Sequence, residues 1–312
     1  MRIPMTALPR RSLVAPAAVF TLALSACGSG GGTAGGSGSE TAVKALASFY
    51  PLQFVMQTVG GDAVDVGSLT PPGAEPHNLE LSPAMVGDLG EASVVVYSSG
   101  FQPAVDEAIE QTNPDHAIDA AESANLQNAD GSSLSEGAGN SSADPHFWLD
   151  PNRLAAVAEQ VEVTLSDVDP ENAATYGDNA DQLIQELSAL DEEYTAGLAA
   201  CERDTIVVSH EAYGYLVTQY GLQQMGIAGI DPEAEPAPAR VAKIQRVVDG
   251  EDVSTIFTES LVNPKVAETI AADLGIQTAV LDPLETLADP STNYLVVMRS
   301  NLAALREALG CE

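Results

Sequence analysis

The sequence is poor in positive charge. It has 12 lysine and arginine residues against 45 aspartate and glutamate residues, which gives a formal net charge of −33 at pH 7. Such a surface repels nucleic acid and anionic membranes and favours cations, so we expect no nucleic-acid partner. Acidity also promotes solubility, so the charge alone does not separate cation binding from a solvated surface.

The sequence also has little that resembles a membrane span. Three arginines precede an apolar run over residues 13–26, which is shorter than a spanning helix needs and is typical of a signal peptide, residues 1–26. The run ends in Leu-Ser-Ala-Cys, which resembles a bacterial lipobox with Cys27 as the lipidated residue. Residues 27–41, rich in Gly and Ser, would then form a flexible tether. An ordinary signal peptide that contains a cysteine is the alternative.

Cysteine is scarce, with three residues in the chain. Export implies an oxidising compartment, and if Cys27 carries lipid, Cys201 and Cys311 remain. Two such cysteines most simply form a disulfide, which would fix the C-terminus and stabilise the fold. A metal-thiolate role is the weaker alternative, because neither cysteine has a ligand-type neighbour.

Strands alternate with helices in two groups, which predicts two parallel α/β lobes, Rossmann-like in pattern. The first lobe would span residues 42–168 and the second residues 201–312. Between them, residues 169–200 predict one long, rigid linker helix that starts with Asp169 as cap and Pro170 in the first position. Residues 124–143 lack periodicity and are rich in Asn, Ser, Gly and Ala, so they predict a mobile acidic loop.

Histidine is rare, with four residues in the chain, and three of them occupy similar positions. His77 and His210 follow predicted strands, as does Asp282, while His146 follows the acidic loop. In open parallel sheets, ligands bind outside the carboxyl ends of the strands. These four residues therefore predict a metal site in the cleft between the lobes. His116 lacks this setting, and we expect it to be exposed.

Three neutral imidazoles and one carboxylate suit Zn²⁺, with Mn²⁺ or Fe²⁺ also compatible by ligand type. Because four protein ligands close a tetrahedron, this set argues against catalysis, and we expect no enzyme. The alternatives are a zinc-dependent hydrolase with Glu211 as general base, or an adhesin in which the metal is structural.

Several motifs together resemble the zinc and manganese solute-binding proteins of ABC transporters, the cluster A-I type that includes periplasmic zinc-uptake proteins. The resemblance covers the whole mature chain. The matching residues are Pro72-Gly73-Ala74-Glu75-Pro76-His77, Asp144-Pro145-His146-Phe147-Trp148-Leu149-Asp150-Pro151, His210-Glu211-Ala212-Tyr213-Gly214-Tyr215, Glu259 and Asp282-Pro283-Leu284.

The resemblance implies a monomeric, lipid-anchored protein on the outer face of the bacterial cell membrane, or in the periplasm, that delivers metal to a permease in the cytoplasmic membrane. The family's ligands carry over to His77, His146, His210 and Asp282. Manganese-type members usually have Glu where His210 stands, so His210 favours zinc. Glu259 matches an acid of the family's second lobe, and we expect it to support a ligand. Zinc members often carry a His-rich tract in the loop at residues 124–143, which this chain lacks.

Overall fold

A computed structural model describes residues 42–126, 144–260 and 263–312. The predicted signal peptide, the tether with Cys27, and residues 127–143 of the predicted loop lie outside these residues. Within the part of the chain that is described, no helix is both long enough and apolar enough to cross a membrane.

The first half of the chain forms a four-stranded parallel sheet in the order β2-β1-β3-β4. Ala45 in β1 lies between Val66 of β2 and Val94 of β3, so small and β-branched residues fill the centre of the sheet. The strands are β1 (Val43–Ala47), β2 (Val64–Ser68), β3 (Val94–Tyr97) and β4 (Ala117–Asp119), and the helices are α1 (Tyr50–Gly60), α2 (Pro83–Glu91), α3 (Pro103–Thr112) and α4 (Ala120–Ser123).

The second half repeats this arrangement, with the strand order β6-β5-β7-β8 and all pairs parallel. Val207 of β5 lies between Met225 of β6 and Ile256 of β7. The strands are β5 (Thr205–Val208), β6 (Gln223–Gly226), β7 (Thr255–Thr258) and β8 (Gln277–Val280), and the helices are α7 (Gly214–Tyr220), α8 (Pro238–Gly250), α9 (Lys265–Leu274) and α10 (Tyr294–Leu309). The predicted α/β class with two parallel-sheet lobes is confirmed.

Two helices lie between the two sheets in sequence, α5 (Pro151–Val168) and α6 (Ala173–Leu198). With 26 residues, α6 is about 39 Å long. Its buried residues recur at helical spacing and form one apolar face; they are Tyr176, Ala180, Leu183, Leu187, Leu190, Tyr194 and Leu198. A long helix between the lobes was predicted, and the structure contains it.

The predicted start of this helix, with Asp169 as cap, is wrong. Helix α6 begins at Ala173, with Asn172 as its N-cap. Asp169 instead follows the last residue of α5, and its side chain stabilises the turn between α5 and α6. Its Oδ2 accepts hydrogen bonds of 2.7 Å from both Asn172 Nδ2 and Tyr176 Oη. The predicted lobe boundaries at residues 168 and 201 stay a prediction.

Strand β4 was not predicted from the sequence. It has three residues, and its central residue, Ile118, is the only one of them that is buried, so it shows no usable periodicity. His116 immediately precedes it and is exposed, in agreement with the expectation for that histidine.

A disulfide joins Cys201, just after α6, to Cys311, just after α10. The two cysteines are 110 residues apart in sequence, so the bond closes a long loop around the second sheet. Both side chains pack against a hydrophobic core that includes residues of both sheets, among them Ala45 and Ile206.

Candidate metal centre

Four ligand-type side chains meet at one point: His77, His146, His210 and Glu285. His77 lies in the loop after β2, His210 follows β5, and Glu285 lies in the loop after β8. His146 immediately precedes a short 3₁₀ turn that leads into α5. Three of the four residues therefore come from loops that leave the carboxyl ends of parallel strands, where ligands of open α/β sheets bind.

The four donor atoms lie within 4.8 Å of one another, close enough to share a single ion. Glu285 Oε1 lies 3.2 Å from His77 Nε2 and 3.1 Å from both His146 Nε2 and His210 Nε2. The Nε2 atoms of His146 and His210 are 3.4 Å apart. In a tetrahedral zinc site with bonds near 2.0–2.1 Å, ligand atoms are about 3.3 Å apart. The arrangement can thus hold one tetrahedral divalent cation.

Aromatic rings surround the site. The side chains of His146 and His210 are fully buried, whereas that of His77 is 9% exposed. The ring of Phe101 lies 4.8 Å from His77, and that of Trp148 lies 5.2 Å from His146. Such a shell limits access of water and strengthens the interaction between a cation and its ligands.

Two further carboxylates orient the buried histidines. Asp144 Oδ1 lies 2.7 Å from His146 Nδ1, and Glu259 Oε1 lies 2.7 Å from His210 Nδ1. Because an ionised carboxylate only accepts hydrogen bonds, each Nδ1 carries a proton and donates it. When these imidazoles are neutral, their Nε2 lone pairs face the centre of the site, as metal binding requires.

The carboxylates of the site stabilise positive charge on the histidines. Burial lowers the pKa of His210, but the carboxylates of Glu259 and Glu285 outweigh burial and raise it to about 10. Burial also lowers the pKa of His146, but hydrogen bonds to Asp144 and Glu285 raise it above the usual value overall. Burial raises the pKa of Glu285, but hydrogen bonds from the three imidazoles outweigh burial and lower this pKa well below its usual range. The site therefore stabilises bound positive charge.

The expected carboxylate ligand, Asp282, is not part of this cluster, and its place is taken by Glu285. Asp282 Oδ1 instead accepts a 2.8 Å hydrogen bond from the backbone N–H of Leu284, and the backbone of Asp282 is hydrogen-bonded to the Asn301 side chain. Leu284 has a positive φ of 59°. Asp282 thus shapes the turn that directs Glu285 into the site.

Two residues of the site were missed by sequence reasoning, Glu285 and Asp144. Glu285 carries no signal that separates it from the other acids, except that it stands among apolar residues after a strand. Asp144 has a clearer signal, since it lies two residues before His146, and its carboxylate accepts from the backbone N–H of His146 as well as from the ring. A Cβ on Gly214 would clash with Asp144 Oδ2, so a larger residue there would displace the carboxylate that holds His146.

Glu211, the candidate general base of a hydrolase, has a structural role. Its carboxylate is buried and forms a 2.7 Å ion pair with Arg240 Nη2. Arg240 Nε also donates to the backbone carbonyl of Gly226, at 2.8 Å. This pair links the loop after β5 to α8 and the end of β6.

Residues 46–308 match the family described as zinc-uptake complex component A, periplasmic. The high-affinity zinc uptake system protein ZnuA of Bacillus subtilis is 30% identical over 307 residues, covering 94% of this chain and 95% of that protein. The zinc-binding lipoprotein AdcA of Streptococcus pneumoniae is 31% identical over 274 residues, covering 84% of this chain and 55% of AdcA. The chain therefore spans about half the length of the AdcA proteins that it matches.

The fold is also that of solved relatives. The laminin-binding protein Lmb of Streptococcus agalactiae, described as bifunctional with adhesin and metal transporting activity, has a TM-score of 0.77 and 32% identity, covering 86% of this chain and 99% of Lmb. The resemblance seen in the motifs is confirmed. Since the family match extends over most of its length, the chain belongs to the family of periplasmic zinc-uptake complex component A proteins.

Proposed function

We propose that this protein captures Zn²⁺ between its two lobes and delivers it to an ABC permease in the cytoplasmic membrane. The observation that supports this most directly is the cluster of three imidazoles around one carboxylate oxygen, with distances of 3.1–3.2 Å. Membership of a zinc-uptake family supports the transport role.

The donor set favours zinc among the candidate cargoes. Mn²⁺ prefers oxygen ligands and higher coordination numbers, whereas three nitrogens and one carboxylate suit tetrahedral Zn²⁺. His210 supplies a nitrogen where a carboxylate would suit manganese better. Mn²⁺ and Fe²⁺ stand at the weak end of the order in which one nitrogen and oxygen site binds divalent metals, so Fe²⁺ is disfavoured as well.

Binding without catalysis fits the site best. A catalytic zinc keeps one position open for water or substrate, whereas His77, His146, His210 and Glu285 fill all four positions of a tetrahedron. The one residue considered as a general base, Glu211, is engaged by Arg240. We therefore propose a binding protein and no hydrolase.

We also propose that the protein acts as a monomer and is lipid-anchored through Cys27 on the outer face of the cell membrane. The lipobox-like sequence before Cys27 supports the lipid anchor, as does the name of the streptococcal zinc-binding lipoprotein relative. The relative Lmb is described as an adhesin too. That description concerns Lmb, and adhesion is not part of the proposal for this chain.

Competitive titration of metal-free protein with Zn²⁺ and Mn²⁺ tests the proposed cargo. We expect one Zn²⁺ per chain and a preference for Zn²⁺ over Mn²⁺ of several orders of magnitude, measured against a chromophoric chelator. A stoichiometry of zero, or tighter binding of Mn²⁺, would refute zinc as the cargo. Turnover of ester or peptide substrates that is lost in His210→Ala would instead support a hydrolase.

A further inference from the structure

The metal site is closed unevenly. The side chains of His146 and His210 are fully buried, whereas those of His77 and Glu285 are 9% and 7% exposed, and the His77 loop, residues 71–78, has Gly73 and Asn78 exposed. The side of the site where the His77 loop meets the loop that carries Glu285 is therefore the one nearest to solvent.

Buried aromatic residues seal the site around His146. Trp148 Nε1 donates a 2.7 Å hydrogen bond to the carbonyl of Pro283, and Tyr215 Oη donates a 2.9 Å hydrogen bond to the carbonyl of Asp144. Tyr294 Oη donates to the carbonyl of Trp148. Opening the protein here would expose large apolar rings and leave buried polar groups without partners, which is costly.

Besides the contact of His77 Nε2 with Glu285, two hydrogen bonds among the described residues join the His77 loop to the second half of the chain. The backbone N–H of Gly73 donates to Thr286 Oγ1 at 3.0 Å, and Asn78 Nδ2 donates to Glu233 Oε2 at 2.9 Å. The second of these bonds is exposed and joins the His77 loop to the segment between β6 and α8. A small cavity of about 60 Å³ lies beside the first bond; it is lined by residues of the His77 loop and of the loop after β8, and it reaches Glu285 and Glu259.

One side chain holds both Asn78 and His77. The carboxylate of Glu75 accepts hydrogen bonds from the backbone N–H groups of both His77, at 2.8 Å, and Asn78, at 3.1 Å. Because one side chain holds both peptide groups in a tight turn, displacement of Asn78 displaces His77 as well. The contact that holds Asn78 therefore also holds a metal ligand.

We infer that the metal enters and leaves past His77, and that the hydrogen bond between Asn78 and Glu233 is a latch that sets the rate at which this side opens. The inference rests on the proposed function, since it concerns exchange of the same ion. Asn78 and Glu233 are positioning residues, because neither belongs to the ligand cluster and both act by holding the loop that carries His77.

Stopped-flow release of Zn²⁺ into an excess of chelator tests the latch. We expect Asn78→Ala and Glu233→Ala each to release zinc about two- to tenfold faster than the unmodified protein, as the loss of one net hydrogen bond predicts. The double variant should be no faster than either single variant, because both remove the same bond. The melting temperature of the metal-free protein should fall no further than that of Gln182→Ala, which loses a comparable exposed bond, and this separates a latch from general destabilisation.

Two matched variants control for other effects. Gln182→Ala removes a comparable exposed bond of 3.0 Å to Glu186 within α6, and it should leave the release rate unchanged. Glu233→Gln removes the negative charge but keeps an acceptor oxygen for Asn78, so zinc release should stay close to that of the unmodified protein.

The outcomes separate this inference from the proposed function. If the unmodified protein binds zinc and neither alanine variant changes the release rate, the latch is refuted while zinc binding stands. If Glu233→Gln releases zinc as fast as Glu233→Ala, charge attraction and not the hydrogen bond controls exchange, and the latch is again refuted. If the unmodified protein does not bind zinc, the proposed function itself fails.

Discussion

At the scale of single residues, the chemistry of the site depends on which carboxylate faces the three histidines. Asp282 and Glu285 are three positions apart in the same loop, yet Glu285 contacts all three Nε2 atoms and Asp282 closes a turn. A carboxylate that accepts a backbone N–H in a turn has a structural role that an amide can replace. A carboxylate that neutralises a bound cation cannot be replaced in this way.

These two roles predict opposite results for the two amide substitutions. Glu285→Gln should weaken zinc binding by more than about a hundredfold, because even residues that only support a metal ligand cost about 10- to 100-fold when changed. Asp282→Asn should change zinc affinity by less than about threefold, because its Oδ1 still accepts from Leu284 N–H. Chelator competition measures both dissociation constants. A larger loss in Asp282→Asn than in Glu285→Gln would contradict the assignment of the ligand.

At the scale of elements, the junction of α5 and α6 shows how a short turn replaces a predicted helix start. Asp169 followed by Pro170 is a sequence pattern typical of a helix N-terminus. Here the Asp169 side chain is instead engaged by Asn172 and by Tyr176, and the helix starts three residues after Pro170. The pattern indicates a helix boundary correctly but does not decide which helix the aspartate caps.

The Asp169 interactions also predict a pH dependence of stability. Hydrogen bonds from Asn172 and Tyr176 lower the pKa of Asp169 in the folded state relative to the unfolded chain. Their contribution is therefore present above the unfolded pKa of about 4 and is lost as the pH falls through the lower folded pKa. Asp169→Asn should be less stable than the unmodified protein at pH 7, and the difference should shrink below about pH 4. Urea unfolding at both pH values measures it, and a difference that grows on acidification would contradict the account.

At the scale of the whole molecule, the disulfide joins the end of α6 to the end of the chain. Cys201→Ser together with Cys311→Ser should lower the free energy of unfolding by about 2–4 kcal/mol. Zinc affinity should be unchanged, because neither cysteine belongs to the cluster of ligands. Denaturant unfolding under oxidising conditions and chelator titration measure the two effects. Equal free energies of unfolding for the double variant and the unmodified protein would show that the disulfide does not stabilise the fold.

The fold and most of the site were predictable because their signals are local or rare. Alternation of strands and helices indicated two parallel sheets, and a chain with four histidines made three similarly placed ones conspicuous. Glu285 was not predictable in the same way, since it is one of 45 acidic residues. Its position depends on the turn at Asp282 and on the positive φ of Leu284, which are set by the packed loop and not by residue type.

Crystals of the zinc-loaded protein, measured on both sides of the zinc absorption edge, test the central claim most directly. We predict one anomalous peak in the cleft, at about 2.0–2.2 Å from His77 Nε2, His146 Nε2, His210 Nε2 and a carboxylate oxygen of Glu285. A peak bound by Asp282, or a zinc ion that lacks one of the three histidines, would contradict the proposed centre.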